Sequence, residues 1–223
     1  MEYRNFIDSL GLVGISEDLV RQALTHSSTG NADYERLEFL GDRVLGLAMA
    51  EMLYQRFPEE KEGDLAKRHA ALVSGKMLSR VAQDLDLGRI LLLSDNERQS
   101  GGLENDNILS DAVEGIIGAV FLSSDYQTCA DLIIKLWDDY IDKMSEPPQD
   151  PKTQLQEWSQ GRALGIPQYD LVERSGPDHQ PQFKVSVSVE GYKSAIAEAG
   201  SKRSAEKSAA QAFLVQHNLI KTK

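Results

Sequence analysis

The chain has 223 residues, 26% charged and 41% hydrophobic, with a formal net charge of −11, which describes a soluble globular protein of two compact domains or one large one. No apolar run reaches the ~18 residues needed to cross a bilayer, and residues 1–10 carry Glu2, Arg4 and Asp8 where a secretory signal would be apolar. The single cysteine, Cys129, excludes an intrachain disulfide and a cysteine-based zinc site, so the expectation is a cytoplasmic chain with no membrane association.

Taken alone, an acidic balance argues against a nucleic-acid partner. The charge is unevenly spread, however. Residues 1–146 hold 14 Lys+Arg against 27 Asp+Glu, a net of −13. Residues 147–223 hold 10 against 8, a net of +2. The acid of the first part is either a solvated surface or a set of carboxylates that hold cations.

Helical periodicity runs over residues 16–25, 33–57, 63–72, 75–86, 108–122 and 126–143. Gly11, Gly14, Pro58, Gly63, Gly88, Gly101 and Gly102 punctuate these stretches. No alternating strand pattern interrupts them, so the first part is expected to be all-α. The run Ser145-Glu146-Pro147-Pro148-Gln149-Asp150-Pro151 reads as a semi-rigid linker. The expected organisation is a first domain over 1–144, a linker over 145–151 and a second domain over 152–221.

After the linker, residues 153–161 suit a short helix and 168–174 a strand. In 182–190, Phe183, Val185, Val187 and Val189 alternate with Lys184, Ser186 and Ser188, the period of a half-buried strand. Glu190-Gly191 marks a turn and 192–198 a returning strand. Ser201 is placed to cap a helix running to about Gln216. The order is α-β-β-β-α, an α+β domain.

The 33–57 helix carries Glu35, Glu38 and Asp42 within about 60° of arc. Beyond Asp42 it is apolar nearly all round, which predicts a buried helix. In the 108–122 helix, Asp111 and Glu114 are the only charges and share a face with Gly115 and Gly118. Buried carboxylates without compensation cost several kcal/mol or neutralise. Ion pairs with Arg36, Arg43, Lys67 or Arg68 would serve for one such acid. For two pairs at i,i+4 and i,i+3 spacing, a hard cation such as Mg²⁺ is the better account. No His or Cys joins these pairs, which disfavours zinc. Carboxylate-held Mg²⁺ suits phosphodiester hydrolysis. It suits an all-α nucleotide pyrophosphohydrolase as well, and the first domain's physics does not separate the two.

The run Glu35-Arg36-Leu37-Glu38-Phe39-Leu40-Gly41-Asp42-Arg43-Val44-Leu45 resembles the signature motif of the ribonuclease III family. Ala23-Leu24-Thr25-His26-Ser27-Ser28, Glu62-Gly63-Asp64-Leu65 and Asp111-Ala112-Val113-Glu114 follow in that family's order. The resemblance implies an endoribonuclease that hydrolyses both strands of double-stranded RNA, leaving 5′-phosphate and 3′-hydroxyl ends. Ribosomal RNA precursors and structured messenger RNAs are the expected substrates. It also implies that Glu38, Asp42, Asp111 and Glu114 hold Mg²⁺, with Mn²⁺ as a substitute, and that Asp42 and Glu114 are catalytic. Glu35 and Glu62 match supporting acidic positions. Phe39 matches a residue that plugs a socket on the partner subunit of a homodimer formed through the α-domain, against the alternative of an ordinary core phenylalanine. His26 reads as structural, and Lys67 and Arg68 as either RNA contacts or a solvated face.

Residues 152–221 resemble a double-stranded RNA-binding domain. Gln154 and Glu157 on its first helix, Pro177 and His179 in its first turn, and Ser201, Lys202 and Arg203 at the start of its last helix match the RNA-contacting patches. Such a domain reads the shape of about 16 bp of duplex, and a helix N-terminus with two cations suits phosphates. Glu206 departs from the family, which often has a basic residue there, and weaker grip is the expectation. The alternative to an enzyme is a non-catalytic duplex-RNA-binding regulator. It would be expected to lack one of the four carboxylates, and all four are present.

Overall fold

The computed structural model describes residues 2–177 and 180–220. The chain divides into two compact units, 1–148 and 149–223.

The first unit is helical. α1 (Glu2–Ser9) and α2 (Glu17–Ala23) lead to α3 (Glu35–Arg56), α4 (Glu62–Leu72), α5 (Gly75–Asp84), the short α6 (Asp95–Gln99), α7 (Asp106–Ser123) and α8 (Tyr126–Asp142). Ser16, Ser74, Ser94, Asn105 and Asp125 cap α2, α5, α6, α7 and α8, each accepting a hydrogen bond from a backbone N–H of the first turn. α7 runs through the middle of the unit. Ala112, Ile117, Ala119 and Val120 are at most 1% exposed, in one continuous core with Leu45, Met49 and Leu53 of α3 and Ile133 and Trp137 of α8.

Two glycines bring α3 and α7 backbone to backbone. A Cβ on Gly41 would lie 1.8 Å from the Glu114 carbonyl oxygen, and one on Gly118 would lie 2.2 Å from that of Leu37. Gly115 faces the end of α2 and Tyr34, with the Ala23 carbonyl oxygen 3.1 Å from such a Cβ. The small face of α7 therefore admits the protein's own helices.

α3 departs from the expectation of burial on all sides. Phe39 is 68% exposed, Leu47 59% and Tyr54 75%. With helical geometry these three fall within about 80° of arc. α4, α7 and α8 cover the opposite side, leaving an apolar stripe open. Arg68 is also not on a solvated face: it is buried, pairs with Glu60 at 2.6 Å, donates to the Met144 carbonyl at 2.5 Å and stacks on Phe57. It fastens the α4 region and has no free surface for RNA.

The second unit contains α9 (Pro151–Gln160), β1 (Gln168–Ser175), β2 (Gln182–Ser188), β3 (Ala195–Ala199) and α10 (Lys202–Gln216). Pro151 stands in the first turn of α9, where its missing N–H costs nothing, and Asp150 caps that helix. The sheet is antiparallel in the order β1-β2-β3, with Val187 opposite Tyr169 and Ala195. Val185, Val187 and Val189 face Leu155 of α9 and Ala205, Ala209, Phe213 and Leu214 of α10 in a separate core. The other face carries Lys184, paired across the strand with Glu198 at 2.9 Å.

Candidate functional site

Glu38 follows from the first turn of α3, and Asp111 and Glu114 lie one turn apart on α7. Because the two helices touch at Gly41 and Gly118, their carboxylates meet. One oxygen from each of Glu38, Asp111 and Glu114 lies within 4.8 Å of the others. All three are half-buried, and among the described residues none takes part in an ion pair.

The electrostatic consequence is large. Burial, then Asp42, Glu38 and Asp111, push the Glu114 carboxyl up to about 8, with Arg43 acting the other way. Burial and then Asp111, Glu35 and Asp42 hold Glu38 above the usual carboxylate range. Asp111 is raised too, chiefly by burial, although hydrogen bonds from Ser110 and Tyr34 and the nearness of His26 oppose the shift. Three acids crowded this way need either protons or a cation.

Asp42 lies close enough to act on Glu114 and Glu38, but its carboxylate is turned to the neighbouring Arg43 guanidinium and stands outside the group of three. That pair is exposed and adjacent in sequence, so it restrains Asp42 weakly. Glu35 is exposed at the start of α3 and near enough to raise Glu38 and Tyr34. Glu62 is exposed at the start of α4 and is not among the charges that shift the cluster. His26 caps the turn Ser27–Thr29, its Nδ1 accepting from the Ser28 N–H at 3.2 Å, and its ring lies 5.8 Å from that of Tyr34. Lys67 pairs with Asp64 at 3.0 Å.

The sequence reading did not single out Tyr34, Ser110 or Gly41. Tyr34 is buried and raised by burial and by Asp111, Glu38 and Glu35. Ser110 donates to the Asn107 carbonyl at 2.8 Å and to Asp111 at 3.3 Å. The available signal was Gly41, a glycine in the middle of a helical run, which marks close backbone approach.

The donor set fits a hard divalent cation. It is all carboxylate oxygen with no nitrogen or sulfur, and among the described residues no Lys or Arg forms an ion pair with the three central acids.

On α3, Phe39 lines a groove of about 800 Å³ together with Leu19, Leu37, Leu40 and Leu122 and the polar Gln22, Glu35 and Arg36. In the second unit, Ser201, Lys202 and Arg203 are exposed at the start of α10, where Ser201 accepts from the Ser204 N–H at 3.1 Å. Glu157 and Pro177 are exposed and Gln154 is half-buried. His179 lies outside the described residues. Glu206 is turned to Lys152 at 2.6 Å.

A family model described as Ribonuclease-III-like matches residues 16–139, more than half of the chain. This chain belongs to the ribonuclease III family. A second match, described as Double-stranded RNA binding motif, covers residues 151–216. Ribonuclease 3 of Rhodobacter capsulatus is 45% identical over 94% of this chain and 93% of its own length. Ribonuclease 3 of Caulobacter vibrioides is 46% identical over 88% of each chain. The solved nuclease domain of ribonuclease III from Campylobacter jejuni superposes with a TM-score of 0.59 at 39% identity, covering 61% of this chain and 94% of that domain. A second structure of that domain, at 40% identity and a TM-score of 0.58, covers 60% of this chain and 94% of the domain and is described by its structural flexibility in a region involved in dimer formation. The chain is an endoribonuclease with a helical nuclease unit followed by a double-stranded RNA-binding unit. Among the described residues, no helix is long and apolar enough to cross a membrane.

Proposed function

We propose that Glu38, Asp111 and Glu114, joined by Asp42, hold Mg²⁺ or Mn²⁺ and that the chain uses this centre, as a homodimer, to hydrolyse phosphodiester bonds in both strands of duplex RNA. The observation that carries the reading is the approach of three carboxylates to within 4.8 Å with no ion-pair partner among the described residues, in a chain that also bears an RNA-binding unit. When bound, such a cation stabilises charge developing on a phosphate and acidifies water. Glu38, Asp111 and Glu114 bind and orient. Tyr34 and Ser110 stand beside Asp111 and favour its charged form, Ser110 with its hydroxyl 3.3 Å from the carboxylate. Asp42, weakly restrained by Arg43, would supply the fourth carboxylate when a cation is held. Products with 5′-phosphate and 3′-hydroxyl ends, drawn from ribosomal RNA precursors and structured messenger RNAs, belong to the same proposal.

The dimer reading rests on Phe39. A phenylalanine 68% exposed at a groove lined mostly by leucines supports the reading of a plug and a socket on one surface. Two-fold pairing of such a surface is self-complementary, because each copy offers both parts. It sets two carboxylate clusters on one duplex.

The test is Glu114→Gln, which removes one cation-holding charge at nearly constant shape. Cleavage of a long perfect RNA duplex in Mg²⁺ should fall at least about 100-fold, the scale of losing a group used in the transition state. Gel-shift affinity for the duplex in Ca²⁺ should be retained. Near wild-type cleavage would remove Glu114 from the centre.

A further inference from the structure

Four charges tie the start of α9 to the second turn of α10. Lys152 Nζ lies 2.6 Å from Glu206 Oε2, and Lys207 Nζ lies 3.2 Å from Asp150 Oδ2. Each helix end thus supplies one cation and one anion to the other. Lys152 also sits over the Tyr169 ring of β1, 4.6 Å from its centre. The Glu206 side chain is only 18% exposed and that of Lys152 37%. Beneath them the Tyr169 hydroxyl is buried with no hydrogen-bond partner among the described residues, and burial with Glu206 and Asp150 pushes it up to about 12. An ion pair partly withdrawn from water, with an aromatic face under its cation, holds its geometry better than an exposed pair.

The residues on either side are spent differently. One turn earlier on α10, Lys202 and Arg203 are exposed and, among the described residues, belong to no ion pair. Just beyond Lys152 on α9 come Gln154 and the exposed Glu157. A surface that reads duplex shape at separated patches depends on the spacing between those patches, and such spacing must hold to about 0.5 Å to be useful.

We propose that Lys152 and Glu206 are positioning residues for duplex binding: their ion pair fixes the outward face of α9 against the cationic first turn of α10. The proposal rests on the duplex-RNA reading above. Glu206 does not then oppose phosphates as a free charge, because its carboxylate is engaged by Lys152. An acid in a domain that binds a polyanion is a fixed part of the grip.

The test compares the full-length protein with Glu206→Lys, Lys152→Glu and the double exchange, by binding to a duplex of about 30 bp, roughly two footprints long. Binding is measured in EDTA over a salt series, at a temperature where circular dichroism shows every variant folded. Glu206→Lys should weaken binding about fivefold although it raises the net charge by about two, and Lys152→Glu should weaken it at least as much, whereas the exchange should return to within about twofold of wild type. In Mg²⁺ the KM of each single variant should rise while kcat at saturating duplex stays unchanged, which loss of stability alone would not produce. Tighter binding by Glu206→Lys with a steeper salt dependence would overturn the proposal, since that is the signature of relieved repulsion. An exchange no better than the single variants would overturn it as well. Failure of the wild-type chain to bind the duplex at all would instead sink the duplex-RNA reading itself.

Discussion

Glu114 stands in the centre of α7 between burial and three other carboxylates, and its carboxyl is raised from an ordinary 4.5 to about 8. Below about pH 4.5 it is protonated in both folded and unfolded chains. Between pH 4.5 and 8 the unfolded chain releases a proton that the folded chain keeps, so stability falls as pH rises, and the loss is complete above about 8. Glu38 and Asp111 are shifted the same way. The metal-free protein should therefore lose melting temperature from pH 5 to 8.5, and Mg²⁺ should restore it at the upper end, because binding to the deprotonated cluster favours the folded state. Glu114→Gln should show a smaller loss and little response to Mg²⁺. Differential scanning fluorimetry reads the difference, at about 2–4 °C for each kcal/mol. Parallel pH profiles for the two proteins would refute it. Spacing alone made the i,i+3 pair Asp111 and Glu114 legible, because periodicity fixes which acids share a helix face, whereas of the i,i+4 pair only Glu38 joins them and Asp42 is turned aside. Tyr34 was not legible, because nothing in its own sequence neighbourhood says that the fold will bring it beside Asp111 on another helix.

At the scale of elements, the site exists because α3 and α7 are in backbone contact. Gly118→Ala would drive a methyl carbon to 2.2 Å from the Leu37 carbonyl oxygen, a backbone atom that a rotamer change does not move. The helices must separate, at a cost of about 3 kcal/mol, and Glu38 moves away from Asp111 and Glu114. Chemical denaturation should show that loss, and Mg²⁺-dependent cleavage should fall with it. Gly63→Ala is the control: its Cβ meets open space on α4, and the change should be neutral or stabilising by up to about 1 kcal/mol. Equal effects at the two positions would mean that close approach is not what α7 needs its glycine for. The long helices and all three strands were readable because each spans enough residues to show its period. α6 was not, having five residues and hence too few turns for a pattern, and α1 was missed as well, although α2, one residue shorter, was read. The exposure of Leu47 and Tyr54 was hidden for another reason. Their apolar character marks a surface to be covered, and a single chain's sequence does not say whether its own helices or a second copy covers it.

At the scale of the whole molecule, charge and chemistry are divided. Residues 1–146 carry a net of −13 together with the carboxylate centre, and residues 147–223 carry +2 with the exposed cations of α10. A duplex, itself a polyanion, gains little from the first part until a cation is bound there, so its affinity must come mostly from the second. Deleting residues 149–223 should raise the KM for duplex by at least about 100-fold while leaving kcat within about threefold, because the acids of α3 and α7 are untouched. The Campylobacter jejuni nuclease domain that matches 61% of this chain was solved by itself, and circular dichroism of the truncated protein checks that the corresponding unit here is folded. The slope of log Kd against log salt should become shallower by about one for each phosphate contact removed, with Lys202 and Arg203 the first candidates. Single-turnover cleavage with the truncated protein in excess at low salt isolates the chemistry from the grip. If cleavage is lost under those conditions although the truncated unit is folded, the second unit takes part in the chemical step and the division of labour argued from the charge distribution is wrong. If the salt slope is unchanged, the cations of α10 are not what holds the backbone of the duplex.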